Sequence, residues 1–433
     1  MKSIEQTPST ASANVVPPVP EQVEDTGLEF GFLADLTLKA VSSDTDCTTE
    51  RVADKLRLPP PVAHTLLLHL YREKFIEIRG AEGYGRHRYG MLDRGWERAH
   101  RLFDVNSYMG PAPVSLGAYT SLSAAQEAVR PPVAHADVRA ALSHLVLPQR
   151  TLETLGLVAS SRRSLFIMGP PGSGKTTIAK SLHAAQGGDY WIPHALEVDG
   201  QIIKVFDAHN HEPIGGNPGP HDRRWIQIKR PLVIVGGELT IETMDLIYSP
   251  TVGFYEASFQ MKANGGTLVI DDFGRQRVDP RDLLNRWIIP LEGRVDYLTL
   301  HTGKKIQIPF EQLLIFATNL DAADLVDDAF MRRMGYRLRT ESPTPETYEL
   351  IFRSYAERRG LPHDQELVKL VLGWYARERR RMSSCEPGDL IERCRDICRY
   401  ENRAPTLNAE LLEVAWMNYF GVEDPVGRAR VTR

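Results

Sequence analysis

Eight consecutive residues, Gly169-Pro170-Pro171-Gly172-Ser173-Gly174-Lys175-Thr176, meet the spacing G-x-x-x-x-G-K-[ST] at every position. Residues of these types in this order bind phosphate. Glycines let the backbone turn tightly and aim N–H groups at phosphate oxygens. Lys175 is long enough to reach the β- and γ-phosphates of a nucleotide, and the Thr176 hydroxyl is a ligand type for Mg²⁺. Pro170, Pro171 and Ser173 complete the loop, and Thr177 opens the helix expected behind it, whose N-terminus adds partial positive charge. A second constellation lies downstream. Gly265-Gly266-Thr267-Leu268-Val269-Ile270-Asp271-Asp272 is an apolar run that ends in two carboxylates. Asp271 is placed to hold a Mg²⁺ shell, and Asp272 to orient or deprotonate an attacking water. The run Leu313-Leu314-Ile315-Phe316-Ala317-Thr318-Asn319 also ends in polar residues, with Asn319 placed to touch the γ-phosphate or that water. Arg332 and Arg333 stand near the end of a helical segment at 325–334.

These groups need elements to carry them. The apolar run 164–168 predicts a buried strand before the loop, and 177–184 predicts a helix after it. Further strands are expected at 231–235, 267–270 and 313–318, with a helix over 279–291. Asp199-Gly200 between two apolar runs predicts a hairpin over 195–206. Thr302-Gly303 predicts a second hairpin, with strands at 294–300 and 304–309. Residues 240–248 suggest a short helix. His209, His211 and His221 lie in or beside a loop dense in Gly and Pro and read as solvated, because no carboxylate or cysteine completes a metal-binding spacing. From residue 342 onward the pattern is helical, at 345–359, 364–381, 387–400 and 408–420.

The chain has 433 residues, more than one domain requires, and its 42% hydrophobic content suffices for ordinary cores. Residues 1–26, rich in Ser, Thr, Pro and Glu, read as a disordered tail. Residues 27–105 pattern as three helices, two strands joined by a glycine-rich tip, and a closing helix, which resembles a winged helix-turn-helix domain. Arg79, Arg86, His87 and Arg88 put positive charge in the wing. Across 48–104, however, Lys plus Arg exceed Asp plus Glu only by eleven to eight. DNA binding and protein docking both stay open for this unit. Residues 106–134, with Pro111, Pro113, Pro131 and Pro132, read as a linker with one helix near 123–129. A net charge of −4 argues against a chain coated by nucleic acid or adsorbed to a membrane. Four unevenly spaced cysteines suit reduced thiols. The absence of an apolar leader or a run of about 18 apolar residues points to no membrane partner and a cytoplasmic location.

Taken in order, the phosphate loop, the Asp271-Asp272 strand, the Asn319 strand and the arginine pair resemble an AAA+ ATPase from about residue 135 to the C-terminus. The hairpin before the Asn319 strand is similar to the pre-sensor-1 insertion of the branch that holds MoxR-like proteins. No Gly-Ala-Phe-Thr-Gly-Ala loop, with which sigma-factor activators of that branch grip their partner, occurs in the sequence. The resemblance implies an α/β fold: a P-loop core at 135–340, built as a parallel sheet flanked by helices, with an all-α lid at 341–433. It implies ATP and Mg²⁺ as cofactors, ATP hydrolysis, and remodelling of a protein client. Arg333 would be the arginine finger acting on a neighbouring subunit's ATP, with Arg332 as the alternate. A finger in trans implies a ring, as a homo-hexamer. Two positions depart from the family pattern. Asp272 stands where glutamate is usual, and Gly388 where a lid arginine is expected, with Arg393 and Arg395 as substitutes further along that helix. Alternative outputs are an ATP-switched DNA-binding regulator working through residues 27–105, or a nucleotide-dependent scaffold with little turnover.

Overall fold

The computed structural model describes residues 15–45, 47–81, 87–216, 219–320, 328–362 and 364–421. Its centre is a five-stranded parallel sheet in the order Leu232–Val235, Thr267–Ile270, Leu313–Thr318, Leu165–Met168, Tyr336–Arg339. Helices cover both faces, which is why the three middle strands are apolar almost throughout. On one face Phe166, Leu268, Ile270, Leu314 and Phe316 pack with Leu283, Leu284 and Trp287 of the helix Pro280–Gly293. On the other, Leu165, Ile167, Val269, Leu313 and Ile315 pack with Ile178, Ala179 and Leu182 of the helix Lys175–Gln186. In register, Ile270 lies beside Phe316, and Thr318 beside Met168. Three strands therefore end together, and the residues that follow them share one edge.

A second sheet is built from four strands that lie between the phosphate-loop helix and the Thr267–Ile270 strand and one that precedes the loop. Its order is Ile247–Ser249, Phe254–Glu256, Gln201–Lys204, Ala195–Val198, Val114–Ser115. The expected hairpin forms its middle, with Asp199 and Gly200 both at positive φ (50° and 76°), as a two-residue turn of this type requires. The 294–309 hairpin also forms, as Val295–Thr299 against Lys305–Pro309. The helix expected at 240–248 is only a 3₁₀ turn, Glu242–Met244, followed by the strand Ile247–Ser249. Thr243 and Thr240 bond each other's backbone there, and such local bonds compete with a helix. Tyr255 is part of the core of this sheet: it is 1% exposed and contacts Tyr248 and His301.

Before these lies a unit of three helices, Phe30–Ser42, Thr49–Leu56 and Pro60–Arg72, with a three-stranded antiparallel sheet of Cys47–Thr48, His87–Met91 and Ile76–Ala81 and a helix Asp93–Val105. Thr48 caps the second helix by accepting from Arg51 N–H at 3.3 Å. Most of the expected glycine-rich tip, including Arg86, lies outside the described residues. Two expectations are corrected. Residues 15–26 are not a free tail: Val23 is buried, and Asp222 N–H donates to Pro17 O at 3.0 Å. Residues 1–14 lie outside the described residues. Nor is 106–134 merely a linker. Val114–Ser115 pairs in parallel with the Ala195–Val198 strand, and the helix Leu116–Ala128 starts well before residue 123. Tyr119 on that helix is fully buried and accepts from Asn264 Nδ2 at 2.8 Å. The helix packs through Tyr119, Leu122, Ser123 and Gln126, while Gly117, Ala118, Ser121 and Ala124 are exposed.

The N-terminal unit is fastened to that sheet. Arg224, 3% exposed, is held by Asp222 and donates to Thr26 O at 2.9 Å and Pro113 O at 3.0 Å. Ala195 and Ile202 belong to the same core as Leu33 and Leu66. His211 is likewise not solvated but 2% exposed. Its Nε2 bonds Lys262 O at 2.8 Å, its Nδ1 accepts from Asp207 N–H at 3.0 Å, and burial pushes its pKa down. The C-terminal region is a helical bundle of Pro345–Arg358, Gln365–Glu378, Glu386–Tyr400 and Ala409–Phe420 around Tyr348, Phe352, Leu390 and Trp416. Cys385, Cys394 and Cys398 are in no disulfide among the described residues. No helix among the described residues is long and apolar enough to cross a membrane.

Candidate functional site

The loop 169–174 links the strand Leu165–Met168 to the helix Lys175–Gln186. Gly169, Gly172 and Gly174 have φ of 155°, 71° and 86°, backbone shapes that side chains resist, so the sequence's glycines are required where they fall. Gly169 N–H donates to Thr318 O at 3.2 Å, tying the loop to the neighbouring strand end. Ser173 Oγ shares a hydrogen bond of 2.7 Å with Thr340 Oγ1. Lys175 Nζ donates to the loop's own carbonyls at Gly169 and Pro170, both at 2.9 Å. Burial lowers its pKa, while Asp272 and Asp271 act in the opposite sense and support the charged form. Pro170 and Pro171 hold the outer side of the turn, and Thr177 is exposed on the first turn of the helix.

Thr176 Oγ1 donates to Asp271 Oδ2 at 2.7 Å. This single contact joins the two motifs across 95 positions of sequence, and it places a hydroxyl and a carboxylate, both hard oxygen donors, side by side. The pair fits a Mg²⁺ ion by its chemistry. Asp271 is half-buried, and its Oδ1 accepts from Asp272 N–H at 3.0 Å. Asp272 is exposed and has φ of 48°. Aspartate tolerates this left-handed shape better than most residues, which gives a local reason for aspartate rather than glutamate here. Asn319 Oδ1 accepts from Arg275 Nε at 3.3 Å at the end of the adjacent strand. Thus the structure brings together the loop, Lys175, Thr176, Asp271, Asp272 and Asn319.

It does not bring Arg332 or Arg333 to this edge. Their helix, Asp328–Arg333, leads to Gly335, whose N–H donates to Ser164 Oγ at 3.2 Å, at the opposite end of the Leu165–Met168 strand. A four-residue strand is roughly 13 Å long. There the two arginines, with Arg162, Arg163, Arg294 and Glu292, line a cleft of about 480 Å³. Arg333 is paired with Glu292 at 2.5 Å, whereas Arg332 is exposed. The start of their predicted helix, 325–327, lies outside the described residues. Gly388 packs against the Tyr355 ring. Arg393 donates to Asp389 O at 3.1 Å and stacks on Tyr419, and Arg395 pairs with Glu392 at 2.7 Å, so both are engaged within the lid.

Several residues escaped sequence reasoning. Arg275 orients Asn319, and Gln276 Nε2 donates to the Asp271 and Asp272 carbonyls at 3.2 and 3.4 Å. Thr340, Ser383 and Cys385 reach the phosphate loop from the C-terminal side. No motif marks Thr340, Ser383 or Cys385, because each acts through a backbone or hydroxyl contact made across a long sequence separation.

A domain of unknown function (DUF8689) matches residues 344–418, the helical bundle. No curated protein matches the chain. Among solved structures, NtrX from Brucella abortus in complex with ATP is similar over 63% of this chain and 58% of that one, at 16% identity and a TM-score of 0.37. For NtrX in complex with ADP the values are 68%, 59%, 15% and 0.38. The Thermotoga maritima RuvB Holliday junction branch migration motor is similar over 68% of this chain and 74% of that one, at 14% identity and a TM-score of 0.35. The chain spans less than two thirds of the length of either NtrX chain.

Proposed function

We propose that this chain is an AAA+ ATPase that binds Mg-ATP at residues 169–177, hydrolyses it, and transmits the cycle to a protein partner. The observation that carries this reading is the 2.7 Å contact between Thr176 Oγ1 and Asp271 Oδ2 beside the glycine loop 169–174. Gly169, Gly172, Ser173, Gly174 and Lys175 would hold the phosphates, and Thr176 with Asp271 the Mg²⁺. When bound, Mg²⁺ neutralises charge on the β- and γ-phosphate oxygens. Asp272 takes a proton from the attacking water, and Asn319, steadied by Arg275, orients it.

Because Arg332 and Arg333 sit at the far edge of the sheet, they serve the site of a neighbouring copy. Arg332 is the better finger, since Arg333 is tied to Glu292. A guanidinium supplied in trans is worth roughly 10³-fold or more in turnover. The test mixes two variants, Arg332→Ala and Asp272→Asn. Each alone should be inactive, and the mixture should regain turnover because some interfaces combine an intact Asp272 with an intact Arg332. No recovery counts against a ring.

For the output, a protein partner is favoured over DNA. In the N-terminal unit three arginines are paired internally, Arg51 with Asp44, Arg79 with Glu77 and Arg98 with Asp35. The second sheet, inserted in the ATPase core and fastened to this unit through Arg224, is the path by which nucleotide state would reach it.

A further inference from the structure

The lid touches the phosphate loop through one short turn. Cys385 N–H donates to Gly172 O at 3.1 Å, and Ser383 Oγ donates to Pro171 O at 3.3 Å. The approach is close: a Cβ on Gly172 would run into Ser383 Oγ and Cys385 Sγ. These two carbonyls belong to the peptide planes that carry the N–H groups of Gly172 and Ser173. A peptide unit is rigid and planar, so a donor that fixes its carbonyl also fixes the direction of its N–H. Gly172 and Ser173 are loop residues whose N–H groups a bound phosphate would meet.

The turn is itself held from behind. Glu386 Oε2 accepts from Ser383 N–H at 2.7 Å and from the Tyr375 hydroxyl at 2.5 Å, and Tyr375 meets the Tyr348 hydroxyl at 3.3 Å. Glu386 is 7% exposed and makes no ion pair among the described residues. A carboxyl at that depth is costly, and burial pushes its pKa up. For helix packing alone an apolar residue would do. The position at which a lid arginine was expected, Gly388, faces Tyr355, and Arg393 and Arg395 are engaged elsewhere. Among these lid groups, the Ser383–Cys385 turn is what meets the loop.

We propose that Glu386 is a positioning residue: it fixes the Ser383–Cys385 turn, the turn fixes two peptide planes of the phosphate loop, and the lid thereby sets nucleotide affinity. This rests on the reading of residues 169–176 as a nucleotide site. The test is the dissociation constant of a fluorescent ATP analogue for the full chain and for Glu386→Gln, Glu386→Ala and Ser383→Ala, with thermal melts alongside. Glu386→Gln keeps an acceptor for both donors and should bind as the wild type does. Ser383→Ala should weaken binding about two- to tenfold, the worth of one hydrogen bond, with an unchanged melt. Glu386→Ala should weaken it at least as much. If Glu386→Ala fails to fold, Ser383→Ala still decides. Wild-type affinity in Ser383→Ala overturns the proposal, even where Glu386→Ala binds poorly, because the effect would then lie in lid folding. If the wild type itself binds no nucleotide, the reading of the site fails instead.

Discussion

Replacing Asp272 by asparagine separates chemistry from structure at this site. Asp272 has φ of 48°, a shape in which asparagine is also at ease, whereas alanine there costs roughly 1–2 kcal/mol. The turn is held by backbone contacts that any side chain at 272 keeps: Asp272 N–H to Asp271 Oδ1 at 3.0 Å, and Gln276 Nε2 to the Asp272 carbonyl at 3.4 Å. Asp272→Asn therefore removes a negative charge and a proton acceptor and little else. Loss of a general base costs about 10²- to 10⁴-fold in rate, which is about 3–5 kcal/mol of barrier at about 1.4 kcal/mol per decade. Nucleotide affinity should hold or rise, since one negative charge beside the phosphates is gone. The assay pairs steady-state phosphate release with an equilibrium titration of ATP and a thermal melt. The expected result is a melt within about 0.5 kcal/mol of the wild type, retained ATP binding, and turnover down by at least about a hundredfold. Wild-type turnover in Asp272→Asn would refute the assignment of Asp272 as the base.

Other expectations follow from the same geometry. Lys175→Ala removes the long cation of the loop and should abolish ATP binding; retained micromolar affinity in a titration would contradict the assignment of the loop. His183 and His194 are both held down to about 4, mainly by burial, with Arg130 and Arg230 adding to the effect at His183 and Arg57 at His194. Both are neutral when folded at pH 6, whereas the unfolded chain protonates them near 6.5. Their contribution is thus complete above pH 6.5 and is lost as pH falls towards 4, by up to about 3 kcal/mol each. Melting temperatures should drop across that window, and His183→Gln should shallow the drop; an unchanged profile in that variant would argue against a neutral His183.

The site was legible in sequence where its chemistry is local. A phosphate loop needs its glycines at fixed offsets from one lysine and one hydroxyl, and those offsets survive in the linear string. The Asp199-Gly200 hairpin was readable for the same reason. The strand order, by contrast, depends on pairings between distant segments, and nothing in 313–318 says that it lies between 165–168 and 267–270. Val114–Ser115 joins the second sheet through two residues only, too short a run for any periodicity to show. His211 lies in a polar loop, yet Asp207 and the Lys262 carbonyl bury it. Ser383 and Cys385 meet the loop through its backbone, which leaves no trace in residue types. For the arginine pair the sequence supplies identity and the structure supplies place: at the far edge of the sheet, with Arg333 occupied by Glu292.

The most direct test of the proposed function is ATP turnover by the purified chain over a range of protein concentrations, with sizing in the presence of Mg-ATP. The expected result is turnover per chain that rises with concentration as larger ATP-dependent species appear, because Arg332 of one copy completes the site of the next. A chain that binds no ATP, or that hydrolyses it equally well as a dilute monomer, would contradict it.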